Sequence, residues 1–217
     1  MGSPTVGHSK REQTKARNRA LLLQAARAVF VDLGYDAATV RDIVARTKLA
    51  PGTFYNYFTD KRSVLVALMN EVSGEAARRA REARAQASSF EESVYRGFRA
   101  YFEFIAGDPT MFELLRRNVS TLRSLGLDET GFEAQLEELR AELVAAMESG
   151  IMPRVPLRYL PLSIGAIAFE IGAMLVASDP PDVEGATLFA AEFCIGGIER
   201  FGRVQAAARK GKSRRQG

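Results

Sequence analysis

The 217-residue chain has one cysteine, one histidine and no tryptophan. A single cysteine excludes an internal disulfide, and a single histidine leaves a typical zinc site short of ligands. His8 lies in a glycine-rich start, which argues against a Ser-His-Asp triad, and no phosphate-binding glycine loop is present. No metal and no cofactor are therefore expected. Long apolar runs are lacking too. The stretch Leu160–Ala177 is broken by Pro161, Ser163, Gly165, Glu170 and Gly172, short of the ~20 apolar residues a membrane span needs. The first twenty residues have no apolar leader segment. The expectation is a cytoplasmic chain with no membrane partner.

What is present is an ordinary soluble composition, 47% hydrophobic and 26% charged. The charge is unevenly spread. Residues 1–62 carry +6, residues 63–199 carry −9 and residues 200–217 carry +7. A basic front on an acidic body suggests two modules, the first directed at a polyanion.

Apolar spacing is helical nearly throughout, so the expected fold is all-α. A first helix is predicted over Thr14–Leu33, with Leu22, Ala26, Val29, Phe30 and Leu33 on one face and Gly34 as its stop. Thr39 and Asp42 form a Thr-x-x-Asp capping pair for a short helix through Thr47. A turn at Lys48–Pro51 leads to a second short helix, Gly52–Phe58, and Asp60 caps a long one from Lys61 to about Ala87. Ser89 and Glu92 open a helix ending at Gly107, and Asp108-Pro109 opens another closing near Gly126. Further helices are predicted over Asp128–Ser149, Leu157–Ser178 and Asp182–Val204, with Gly150 and Asp179-Pro180-Pro181 as breakers. The chain divides into a basic arm (1–13), a first helical unit (14–62), a second helical unit (63–204) and a basic tail without expected order (205–217).

Two short helices joined by a tight turn, with a longer helix in front, satisfy the helix-turn-helix pattern. Ile43, Val44, Leu49 and Phe54 sit where the helices must pack, leaving Thr53, Asn56 and Tyr57 to face outward. In such motifs the second helix enters the major groove, where Asn can bond adenine through two hydrogen bonds. Lys61 and Arg62 lie in the first turn of the next helix, where the macrodipole disfavours cations. A docked phosphate would turn that penalty into a binding feature.

The run Thr39-Val40-Arg41-Asp42-Ile43-Val44, continued by Pro51-Gly52-Thr53-Phe54-Tyr55-Asn56-Tyr57-Phe58-Thr59-Asp60-Lys61, resembles the DNA-binding domain of the tetracycline-repressor (TetR) family. The match reaches back through Ala25-Ala26, Phe30 and Gly34-Tyr35 and covers about residues 14–65. The resemblance implies an all-helical homodimer of about nine helices that leaves near-palindromic operator DNA when a small effector binds. By position it implies phosphate contacts from Thr39, Tyr55, Tyr57 and Lys61, and base-edge approach by Pro51, Gly52, Thr53 and Asn56. Two positions depart from the pattern. Lys48, placed with the DNA-binding residues, stands where glycine is usual, and Ala50 stands where a capping Ser or Thr is usual. The arm residues Lys10, Arg11, Lys15, Arg17 and Arg19 either reach phosphate or a minor groove, or only steer the encounter.

Residues 90–115 hold more aromatic side chains than one helix face needs. An apolar effector pocket is expected around Phe98, Phe102, Phe112, Met147 and Phe169, against the plainer alternative of core packing. The last two helices are rich in small residues, which permit close helix approach. The predicted dimer interface therefore takes Gly165, Glu170, Gly172, Cys194 and Gly196. The leading expectation is a ligand-responsive transcriptional repressor. A non-specific DNA-coating protein and a helical small-molecule enzyme are the alternatives.

Overall fold

The computed structural model describes residues 10–118 and 132–213, and these are all-helical. In order they form α1 (Lys10–Leu33), α2 (Val40–Ala45), a 3₁₀ segment (Pro51–Asn56), α3 (Lys61–Arg84), α4 (Phe90–Ala106), α5 (Pro109–Arg117), α6 (Phe132–Glu148), α7 (Leu160–Val176) and α8 (Val183–Ser213). Among the described residues no helix is long and apolar enough to cross a membrane.

Local chemistry sets most of these boundaries. Gly34 ends α1 at φ +78° and Gly150 follows α6 at φ +76°, conformations that cost an L side chain about 1 kcal/mol. Thr39 and Asp42 form a complete capping box, since the Asp42 N–H donates to Thr39 Oγ1 at 3.2 Å and the Thr39 N–H donates to Asp42 Oδ2 at 2.9 Å. Asp60 and Ser63 make a second box at the start of α3. Ser89 caps α4, and Asp108 caps α5 with Pro109 behind it.

Several boundaries differ from the sequence expectation. Helix α1 begins at Lys10, inside the expected arm, because Arg, Glu, Gln, Lys and Ala over residues 10–20 are good helix formers. Helix α8 likewise runs through Ser213 rather than stopping at Val204, so most of the expected tail is helical. The predicted close of α5 near Gly126 and the start of α6 at Asp128 lie outside the described residues. Leu33, expected on the buried face of α1, is half exposed.

Two apolar cores organise the molecule. The first joins Leu22, Ala26, Val29 and Phe30 of α1, Ile43 and Val44 of α2, Phe54, Phe58 and Val64, Leu65 and Leu68 of α3. It also contains Met111, Leu114 and Leu115 of α5. The second joins α4, α5, α6, α7 and α8 through Phe98, Phe102, Ile105, Phe112, Leu143, Ala168, Leu175, Ala190, Ala191 and Cys194. The first core thus crosses the expected boundary at residue 62, and α5 contributes to both.

Candidate DNA-binding surface and aromatic core

The turn between α2 and the 3₁₀ segment is built without positive φ, so Lys48 carries no backbone strain. The Thr47 hydroxyl closes it by donating to the Val44 carbonyl at 2.9 Å and accepting from the Leu49 N–H at 3.2 Å. Ala50 provides no side-chain cap, as expected, and Pro51 occupies the first position, where its missing N–H costs nothing. The second element of the motif is one tight 3₁₀ segment rather than the predicted α-helical Gly52–Phe58. Phe54 is fully buried beneath it, its ring 5.8 Å from Phe58.

Burial below and exposure above define the reading surface. Pro51, Gly52, Tyr55 and Asn56 are exposed, and Tyr55 is 64% exposed despite its large ring. A Cβ added to Gly52 would meet nothing within 4 Å, so the backbone there is open to close approach. Thr53 is half-buried. Tyr57, expected to face outward, is also half-buried and packs on the first core, because Phe54 and Phe58 draw that side of the segment inward. Lys48 is exposed beside the segment, and Thr39 is exposed with its hydroxyl donating to Asp42 Oδ2 at 2.6 Å.

Lys61 is the main correction among these residues. Its Nζ donates to the carbonyls of Tyr35 at 2.7 Å, Asp36 at 3.1 Å and Ala38 at 2.9 Å, and stands 4.6 Å from the Tyr35 ring centroid. An ammonium has three donors, and all three are engaged here. The expected phosphate clamp is instead a clasp between the start of α3 and the loop after α1. Sequence reading missed it because the partners lie 23 to 26 positions away and offer backbone carbonyls.

Phe98, Phe102, Phe112, Met147 and Phe169 are brought together, but as packed core. Phe98 and Phe102 stack at 5.9 Å, and Phe112 meets Phe169 at 5.4 Å. Phe102 is fully buried, and Met147 and Phe169 are half-buried against the same cluster. Tyr101 lies beside them on α4, and burial raises its phenol pKa well above the usual value. Arg116 and Arg117 both bond Glu113, at 2.6 and 2.7 Å, which holds that carboxyl down to about 2. A groove of about 500 Å³ runs along α3 and α4, lined by Tyr95, Arg96, Arg99 and Glu103 among others.

The expected interface residues separate into two sets. Gly172 and Cys194 belong to the interior of the single chain, since a Cβ on Gly172 would fall 2.5 Å from Ile105 Cδ1. Burial pushes the Cys194 thiol up to about 11. Gly165, Glu170 and Gly196 face outward or stand at the surface, with nothing within 4 Å of a Cβ on either glycine. Beside them α7 and α8 expose Leu162, Met174, Leu188, Phe189, Phe193 and Phe201, and Met174 reaches 74% exposure. Leu188, Phe189 and Phe193 cluster along one stretch of α8, with the Phe189 and Phe193 rings stacked 6.1 Å apart.

Comparison with known proteins agrees with this geometry. Residues 22–68 match the family model described as bacterial regulatory proteins, tetR family. The chain is 26% identical over 134 residues to the fatty acid metabolism regulator protein of Bacillus subtilis, covering 59% of this chain and 68% of that protein. The fatty acid degradation regulator FadR of Bacillus halodurans superposes with a TM-score of 0.69 at 24% identity, over 83% of this chain and 95% of the other. The Bacillus subtilis regulator FadR, solved in complex with stearoyl-CoA, gives 0.67 at 23% identity, over 82% and 98%. These structural likenesses carry the fold, and the matched residues span α1 through the first turns of α3. Residues 22–68 thus form a helix-turn-helix segment of the kind found in bacterial regulatory proteins of the tetR family.

Proposed function

We propose that this DNA-binding transcriptional regulator is a repressor, acting in the cytoplasm as a two-fold dimer on near-palindromic operator DNA and released by an apolar small molecule. The observation that carries the ligand response is the two-sided burial of α5. Met111, Leu114 and Leu115 enter the core of the DNA-binding domain, while Phe112 enters the core behind it. A change in the second core therefore acts on the first through one rigid nine-residue helix.

In the single chain the aromatic core is filled, so an effector must select a state in which α4, α5 and α7 stand apart. Its differential affinity for that state drives the shift, and equal affinity for both states would shift nothing. Moving α5 displaces α3, which shares a core with it, and the recognition segments then leave groove spacing. A fatty-acyl effector is the class favoured by the fatty acid regulators that the chain is similar to, one of them in complex with stearoyl-CoA, and the apolar lining around Phe98, Phe102, Phe112, Met147 and Phe169 suits it. Tyr101 adds a phenol to that lining.

On the DNA side, Tyr55, Tyr57, Thr39 and Lys48 serve phosphates, and Pro51, Gly52, Thr53 and Asn56 approach base edges. Exposed Leu162 and Met174 and half-buried Gly165 of α7, with exposed Phe189, Phe193 and Gly196 of α8, make the dimer face, with Glu170 at its edge. No catalytic role is assigned to any residue.

The test is fluorescence anisotropy against DNA from upstream of the protein's own gene, beside an unrelated duplex of equal length, followed by titration with stearoyl-CoA. Selective binding at two chains per site with release by the acyl thioester supports the proposal. Equal affinity for both duplexes points to a coating protein, and tight binding unaffected by acyl-CoA overturns the effector class.

A further inference from the structure

The first twelve residues of α1 stand outside both cores. The first buried side chain of the helix is Leu22, and from Lys10 to Leu21 every residue except half-buried Asn18 is exposed. At 1.5 Å per residue this exposed stretch of helix is about 18 Å long. It carries Lys10, Arg11, Lys15, Arg17 and Arg19 against the single acid Glu12.

The cations are not scattered. Arg11, Lys15 and Arg19 stand at i, i+4 and i+8, which aligns them in one row along the helix. Like charges at that spacing repel, so the row works against the helix on its own. The row is also anchored in a particular place. The Arg19 guanidinium lies 5.5 Å from the centroid of the Phe58 ring, at the end of the recognition segment. Its inner end therefore lies against the helix-turn-helix core just past the recognition segment, and its outer end extends away from it.

We propose that this row is a second DNA contact, docking on backbone phosphates that flank the base pairs read by the 3₁₀ segment. A duplex backbone offers negative charge along its whole length, which removes the repulsion within the row and needs no particular sequence. At ~3.4 Å per base pair the stretch reaches about five base pairs beyond the recognition segment. The inference rests on the DNA-binding role proposed above.

The experiment compares wild type with Arg11→Gln/Lys15→Gln in the full chain. Both positions are exposed, and glutamine keeps helix propensity. The probes are a duplex selected by the wild-type protein from random-sequence DNA and the same duplex trimmed by about five base pairs at each end. Binding is measured by anisotropy from 50 to 200 mM salt, with Arg11→Lys/Lys15→Arg as the charge-preserving control.

On the long duplex the double variant, with two charges removed from each of two chains, is expected to lose about 3.6 units of log–log salt slope, so that wild-type affinity falls about 150-fold more than the variant's across that range. On the trimmed duplex the two proteins should coincide, and the charge-preserving control should match wild type on both. An unchanged slope on the long duplex, or an equal loss on both, overturns the flanking contact. A wild-type protein that selects no duplex strikes the DNA-binding role itself, and this inference with it.

Discussion

Arg27 of α1 forms an ion pair with Asp108, the residue whose carboxylate caps α5 by accepting the Met111 N–H. One carboxylate thus serves both the DNA-binding domain and the first turn of the helix that bridges the two cores. The pair is partly exposed, so its contribution to stability is small, below about 1 kcal/mol.

Asp108→Asn keeps an N-cap acceptor while removing the charge that holds Arg27. The expected result is wild-type DNA affinity with an effector concentration for half-release raised about fivefold, as loss of roughly 1 kcal/mol of coupling gives. The measurement is release of labelled operator against effector concentration. Coincident release curves would remove the pair from the transmission path.

Lys61→Met should weaken DNA binding by loosening the loop of Tyr35, Asp36 and Ala38, and leave the salt slope unchanged. Hydrogen exchange should rise across the residues following Gly34. A slope reduced by about two units, one for each chain of the dimer, would restore Lys61 as a phosphate contact.

Tyr55→Ala and Asn56→Ala should leave the thermal midpoint unaltered, since both side chains are exposed. The first should lower affinity evenly across sequences. The second should reduce discrimination at one base pair by about 1–3 kcal/mol. Competition assays over single-base operator variants separate the two.

Gly172→Ala should destabilise the chain by about 1–3 kcal/mol, because the new methyl meets Ile105. Phe193→Lys, on the exposed face of α8, should instead leave monomer stability alone and abolish the dimer. Thermal melts beside light scattering give both outcomes, and a dimeric Phe193→Lys protein would refute the assigned face.

Cys194 supplies a pH test. Its thiol titrates near 11, above the ordinary 9.0, so its burial adds stability that is complete below pH 9 and lost as pH rises through about 11. At pH 8 a thiol reagent should react far more slowly with the native protein than with the unfolded chain. Rapid native labelling would show that the second core opens readily without an effector.

The elements legible in the sequence were those governed by neighbours along the chain. Gly34 and Gly150 are stops because φ is a local property, and the Thr39–Asp42 box closes over three residues. Ile43, Val44 and Phe54 could be assigned to the core from helical spacing alone. What escaped was set across space. The Lys61 clasp depends on carbonyls more than twenty residues away, and the separation of Gly172 from Gly196 depends on which helix lies opposite. The start of α1 at Lys10 was available in principle, since its residues favour helix, but no apolar face announced it.

The 3₁₀ form of the recognition segment limits how much sequence one copy can distinguish. Six residues at about 2 Å each span ~12 Å, or close to four base pairs. Four pairs define roughly 250 combinations, while a genome presents at least about a million competing positions. A single reading head is thus ambiguous thousands of times over. Two heads at fixed spacing reach about 65,000 combinations, still short of unique address. For the proposed dimer, deformability of the DNA between and beside the half-sites is a further source of discrimination, so base composition at untouched positions is expected to alter its affinity.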